Sequence, residues 1–174
     1  MEEMFDIYDE SGRRVGTAPR SACHGNPNLI HRTAHVVVLH PATGRMLLQK
    51  RSAAKDIQPG KWDTAVGGHL DAGESSEEAA RRELAEELGF RGEVDLIHLF
   101  DGRIRNAVES EDVRVFGAKL AGPFAPQASE IDEVRFFDAA ELEDETFRAR
   151  CTPNLLAELE ELKKIGFYPP ENRS

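Results

Sequence analysis

Apolar residues along this chain come in short runs of strand length, separated by polar turns rich in Gly, Pro, Asp and Ser. Phe5 to Tyr8 and Arg14 to Thr17 flank Asp9-Glu10-Ser11-Gly12, which predicts an N-terminal hairpin. Arg20 to Asn28 reads as a loop or a short helix, because Gly25 and Pro27 discourage anything longer. The run Val36-Val37-Val38-Leu39, within His31 to His40, predicts a buried strand. Pro41 to Gly44 turns the chain, and Met46 to Lys50 returns as the next strand. A polar connection from Arg51 to Lys61, with a Pro59-Gly60 turn, leads into a strand from Trp62 to Val66.

From Gly68 to Gly73 the glycine-rich sequence suits a loop, and from Ser75 or Ser76 helix formers take over until Gly89. Ala80, Leu84 and Leu88 form the apolar stripe of that helix. Further on, Val94 to Phe100 and Val113 to Leu120 predict strands separated by the polar stretch Asp101 to Asp112, and Glu133 to Phe137 predicts another. Ala139 to Glu143 suggests a short helix. Thr152-Pro153 followed by Leu155, Leu156, Leu159, Leu162 and Ile165 predicts an amphipathic helix ending at Gly166. Strands interleaved with two substantial helices point to an α/β fold with a mixed sheet held between helices.

Composition narrows the class. A chain of 174 residues with 40% hydrophobic and 31% charged residues suits one globular domain. No run approaches the roughly 18 apolar residues of a membrane span, and the start, MEEMFDIYDE, lacks the features of a signal peptide, so a cytoplasmic location without membrane association is expected. A net charge of -10 disfavours a nucleic-acid polymer as partner and leaves a small anionic ligand compatible. Cys23 and Cys151 stand far apart without metal-binding spacing and are expected as free thiols.

The chemistry concentrates in the acidic helix. Glu83, Glu86 and Glu87 stand at i, i+3 and i+4, which puts their carboxylates on one face within a turn. Like charges at that spacing weaken a helix by roughly 0.2–0.5 kcal/mol per pair, and a divalent cation reverses the penalty. Hard oxygen ligands favour Mg2+ or Mn2+. Around them the spacing is fixed: Gly68, five residues, Glu74, seven residues, Arg82-Glu83-Leu84, one residue, Glu86-Glu87, one residue, Gly89-Phe90.

That pattern matches the Nudix box, and the chain resembles the Nudix hydrolases, which cleave a diphosphate linked to another group. The resemblance implies a single Nudix domain built as an α/β/α sandwich, with residues 1–30 as hairpin and loop, 31–166 as core and 167–174 as tail. It implies metal ligation by Glu83, Glu86 and Glu87, with the Gly68 carbonyl as a further ligand, and a Glu74–Arg82 pair holding loop against helix. Glu83, or Glu130 or Glu133 in a later segment, are the candidates for the base that activates water. The substrate expected is a small diphosphate compound, and a homodimer is compatible because many relatives dimerise.

His31-Arg32, residues 47–63 (LLQKRSAAKDIQPGKWD) and residues 67–75 (GGHLDAGES) are similar to isopentenyl diphosphate isomerase, a Nudix-fold enzyme. That likeness implies that Arg51 and Lys55 hold the diphosphate. It also implies a second metal site at His24, His31, His69, Glu109 and Glu111, whose mixed ligands suit Mn2+, Zn2+ or Fe2+. Against isomerisation, Gly67 stands where the isomerase has its cysteine, and Asn154 stands where it has a tryptophan. The three helix acids are retained together. Hydrolysis is therefore the expected reaction, with the isomerase and a non-catalytic diphosphate-binding domain as alternatives.

Overall fold

The computed structural model describes residues 1–170. In chain order its strands are β1 (Met4–Tyr8), β2 (Arg14–Pro19), β3 (Ile30–Leu39), β4 (Met46–Arg51), β5 (Trp62–Thr64), β6 (Val66–His69), β7 (Ile97–Arg105), β8 (Ser110–Lys119) and β9 (Ile131–Phe137). The helices are α1 (Arg20–Cys23), α2 (Ser76–Leu88), α3 (Ala139–Glu143), α4 (Glu145–Arg148) and α5 (Pro153–Lys164).

Because β3 carries apolar side chains on both faces, it needs a layer on each side. Ala34, Val36 and Val38 pack with Ala79, Ala80, Leu84 and Leu88 of α2. Val37 and Leu39 join the opposite core with Leu142, Phe147, Leu155, Leu159 and Leu162 from α3, α4 and α5. The result is a nine-stranded mixed sheet between helical layers. β3 pairs in parallel with β8 along its whole length, from Ile30 opposite Ser110 to Leu39 opposite Lys119. It pairs antiparallel with β6, placing Thr33 opposite His69 and His35 opposite Gly67. The β1–β2 hairpin and α1 form their own small core from Phe5, Ile7, Ala18 and Cys23.

Several expectations need correction. The segment expected from Val94 to Phe100 is a strand only from Ile97, and it continues through Arg105. β8 likewise starts at Ser110, so most of the polar stretch Asp101 to Asp112 is a hairpin. Ion pairs explain the polarity: Arg114 holds Asp101 at 2.9 Å and Arg105 holds Asp112 at 2.8 Å across the hairpin. The strand expected over Trp62 to Val66 divides at Ala65, since β5 pairs with β4 and β6 with β3. Gly68 and His69 end β6 rather than open a loop. α4 was not foreseen, and Ile165, expected on the apolar stripe of α5, is exposed beyond its last turn. In the segment expected as a tail, Tyr168 is buried in the α5-side core, and residues 171–174 lie outside the described residues.

Candidate active site

β6 delivers Gly67, Gly68 and His69 to a turn, and Ser75 then starts α2 with a capping box. The Ser75 hydroxyl accepts from the Glu78 N–H, and the Glu78 carboxylate accepts from the Ser75 N–H, both at 3.1 Å. Arg82 fastens the turn to the helix. Its Nε and Nη2 donate to the two oxygens of Glu74 at 2.8 and 2.9 Å, and Nη2 also donates to the His69 carbonyl at 2.9 Å. Nη1 reaches Glu83 at 2.6 Å and Glu86 at 3.3 Å.

The three helix acids are not equivalent. Glu86 is exposed, whereas Glu83 and Glu87 turn inward against β6. A Cβ on Gly68 would lie 2.2 Å from Glu83 Cδ, so the close approach of that carboxylate requires glycine. Burial pushes the Glu87 carboxyl up to about 8, and Glu83 adds to the shift. Hydrogen bonds from Gly67 N and Gln49 Nε2, each at 3.3 Å, offset only part of it. Burial also raises Glu83, against the pull of Arg82. Two crowded acids that ionise reluctantly are relieved by a divalent cation.

Beside them, His31, His69 and Glu111 bring one ligand atom each to within 4.8 Å of one another. Glu83, Glu86 and Glu87 form no such tight group among the described residues. Glu111 Oε1 lies 3.4 Å from His31 Nε2 and 3.1 Å from His69 Nε2. The Leu29 carbonyl accepts from His31 Nδ1 at 3.1 Å, which leaves Nε2 to face the cluster. Burial opposes ionisation of Glu111, but bonding from His31 and His69 outweighs it and holds the carboxyl well below the ordinary range. Phe5 stacks on both rings, with centroids 5.4 Å from His31 and 4.8 Å from His69. His24 stands edge-on to His69 at 6.4 Å, and Glu109 lines the same cleft. These two stand outside the tight group.

The α2 acids, His69 and Glu111 open onto one cleft of about 980 Å³, with His31 buried behind them. Arg51 and Lys55 line it, already partnered: Arg51 donates to the Ile57 carbonyl at 3.0 Å and lies 3.5 Å from Asp63, and Lys55 pairs with Glu130. Glu130 lines the cleft, whereas Glu133 is exposed on β9 and is not among the residues lining it. Thr33, His35, Gln49 and Asp63, none of them expected at the site, also line the cleft. His35 Nδ1 meets Glu158 of α5 at 2.9 Å, and Glu158 accepts from Thr64 at 2.7 Å. One signal was available: Thr33 and His35 follow His31 at two-residue spacing, hence on the same face.

The model of the NUDIX domain family matches residues 29–157. The chain is 38% identical over 164 residues to an uncharacterised Nudix hydrolase of Yersinia pestis, covering 90% of this chain and 84% of that protein. It is 36% identical over 146 residues to an isopentenyl-diphosphate Delta-isomerase of Streptomyces avermitilis, covering 80% and 73%. Among solved structures, a protein of Deinococcus radiodurans superposes with a TM-score of 0.74 at 23% identity, covering 90% of this chain and 96% of the other. A MutT Nudix hydrolase of Burkholderia pseudomallei shares the fold at a TM-score of 0.64 and 23% identity, covering 76% and 98%.

Proposed function

Because the chain belongs to the Nudix hydrolase family, we propose that it hydrolyses a small compound in which a diphosphate is linked to a further group, using Mg2+ or Mn2+ at the acidic face of α2. The observation that carries this reading is the pair of half-buried acids, Glu83 and Glu87, set against Gly68 and Gly67 inside the cleft. That all-oxygen donor set, with exposed Glu86 and the Gly68 carbonyl able to join it, fits a hard divalent cation. When bound, such a cation neutralises diphosphate oxygens and orients a water for attack at phosphorus.

The chain's own groups supply the rest. Arg51 and Lys55 hold diphosphate oxygens on exchanging their present partners. Glu83 and Glu130 line the cleft as the proton acceptors for the attacking water, a role that the position of Glu133 does not suit. Arg82 and Glu74 keep the turn fixed while Glu83 and Glu87 act. The tight imidazole–carboxylate group, with His24 and Glu109 close by, suits Mn2+, Zn2+ or Fe2+ as a second ion.

A phosphate-release screen across diphosphate compounds with Mg2+ and Mn2+ tests this reading. Glu87→Gln should lower turnover by about 100-fold, the upper range for disturbing a metal's surroundings; full activity in that variant would end the metal-ligand assignment. The imidazole–carboxylate group and the 36% identity to an isomerase favour a second reading, isomerisation of isopentenyl diphosphate. Gly67 offers no thiol, Asn154 lines the cleft, and the single Trp62 is buried against Phe137. Conversion of isopentenyl to dimethylallyl diphosphate without phosphate release would decide for the isomerase.

A further inference from the structure

Part of the cleft floor has no role in this scheme. Thr33 and His35 lie two residues apart on β3 and both line the cleft. Thr33 is 3% exposed, and its hydroxyl has no hydrogen-bond partner among the described residues. Leaving such a group unpaired is costly, so a buried orphan facing a cleft calls for an occupant.

The His35 ring is fixed from behind. Nδ1 is bonded to one Glu158 oxygen at 2.9 Å, and the other Glu158 oxygen accepts from Thr64 at 2.7 Å. Nε2 has no hydrogen-bond partner among the described residues, and its edge of the ring lies over Gly67. A Cβ on Gly67 would stand 3.1 Å from His35 Cδ2 and 3.2 Å from Nε2. The Gly67 N–H in turn donates to Glu87 at 3.3 Å, so one glycine separates the free edge of the imidazole from that half-buried acid of α2. Burial opposes a charged ring, but the Glu158 carboxylate outweighs it and pushes His35 up to about 9. Held toward its protonated form by Glu158, the ring offers Nε2–H beside the Thr33 hydroxyl, and neither has a partner among the described residues.

We propose that Thr33 and His35 form a subsite for a phosphoryl oxygen of the substrate, adjoining the acidic face of α2, and that Glu158 is the positioning residue that presents the imidazole. The proposal rests on the diphosphate reading above. A pair of donors beside Glu87 suits an anionic oxygen of whatever is held there, and does not suit a cation. Glycine at position 67 leaves the approach open.

The test uses methylenediphosphonate, a diphosphate analogue that water does not cleave, titrated calorimetrically into the full chain with saturating Mg2+. Mg2+ alone is titrated in parallel. Thr33→Val keeps the side-chain shape and removes the hydroxyl, so its melting temperature should equal or exceed that of the wild type. Thr33→Val, His35→Gln and Glu158→Gln should each weaken diphosphonate binding at least about fivefold, roughly 1 kcal/mol, with Mg2+ affinity within twofold. In the wild type the imidazole 15N resonances of His35 should shift on adding diphosphonate, and Glu158→Gln should abolish that shift.

Wild-type diphosphonate affinity in both Thr33→Val and His35→Gln would overturn the subsite, as would absence of diphosphonate binding by the wild type. The activity of Glu87→Gln in the phosphate-release screen judges the hydrolase reading separately. Should His35→Gln fold poorly, Thr33→Val alone decides.

Discussion

At Gly68 a single hydrogen in place of a methyl group decides where Glu83 sits. A Cβ there would fall 2.2 Å from Cδ and 2.3 Å from Oε1 of Glu83, a separation that no relaxation of Gly68 itself relieves. Gly68→Ala is therefore expected to swing Glu83 out of the cleft and to reduce turnover by about 10- to 100-fold. The melting temperature should move little, because the end of a flexible side chain yields and the core does not. Arg82 is a second position where identity matters more than charge. Its guanidinium spans both Glu74 oxygens and the His69 carbonyl, a fork that an ammonium cannot reproduce. Arg82→Lys should lower unfolding free energy by about 1–2 kcal/mol, measured by denaturant titration.

Elements are held in register by a few buried polar bonds. α5 is docked onto β3 by Glu158 and onto β5 by its N-cap: Thr152 accepts from Leu155 N at 3.1 Å and donates to Asp63 at 2.9 Å. Burial resists the charge on His35, Glu158 overcomes it, and the ring rises from 6.5 to about 9. A raised imidazole stabilises the fold fully below its unfolded value and loses that contribution as pH climbs through the folded value. The melting-temperature gap between wild type and Glu158→Gln should accordingly be wide at pH 6.5 and narrow steadily toward pH 9.5. Asp63 and Glu111 also face His35, so the gap should narrow rather than vanish. A constant gap across that range would show that the pair does not titrate as described. Much of this layer was legible beforehand: α2, its stop at Gly89 and the buried strand at Val36–Leu39 follow from spacing alone. β7 was obscured because it is largely exposed and Arg103, Arg105, Arg114, Asp101 and Asp112 pair between it and β8, and local composition cannot separate such pairing from a solvated loop. The Glu158–His35 bond was invisible for a different reason, since it joins residues 123 apart in sequence and neither belongs to a recognisable pattern.

Over the whole molecule the α2 acids and the imidazole–carboxylate group meet at one cleft while resting on different layers, the acids on α2 and His31, His69 and Glu111 on the sheet. Ion binding to the folded chain alone should raise stability by about 2.7 kcal/mol at a hundredfold excess over the dissociation constant, or roughly 5–10 °C for a chain of this size. Mn2+ should therefore raise the melting temperature of the wild type and raise it less in His31→Ala. An equal rise in both would place the ion elsewhere. Protein purified without added metal should carry less transition metal after the same substitution. The motif made the acids of α2 readable from the start, whereas closure of His31 on Glu111 depends on β3 and β8 lying side by side. Glu111 follows His69 by 42 residues, so a chain that stops short of it holds an unfinished claw. Sliding β8 by one position would present Ser110 or Asp112 opposite His31 and turn the acid to the wrong face. An ion that binds only the finished claw thus rewards the one alignment among neighbours and acts as a proofreader of strand assembly.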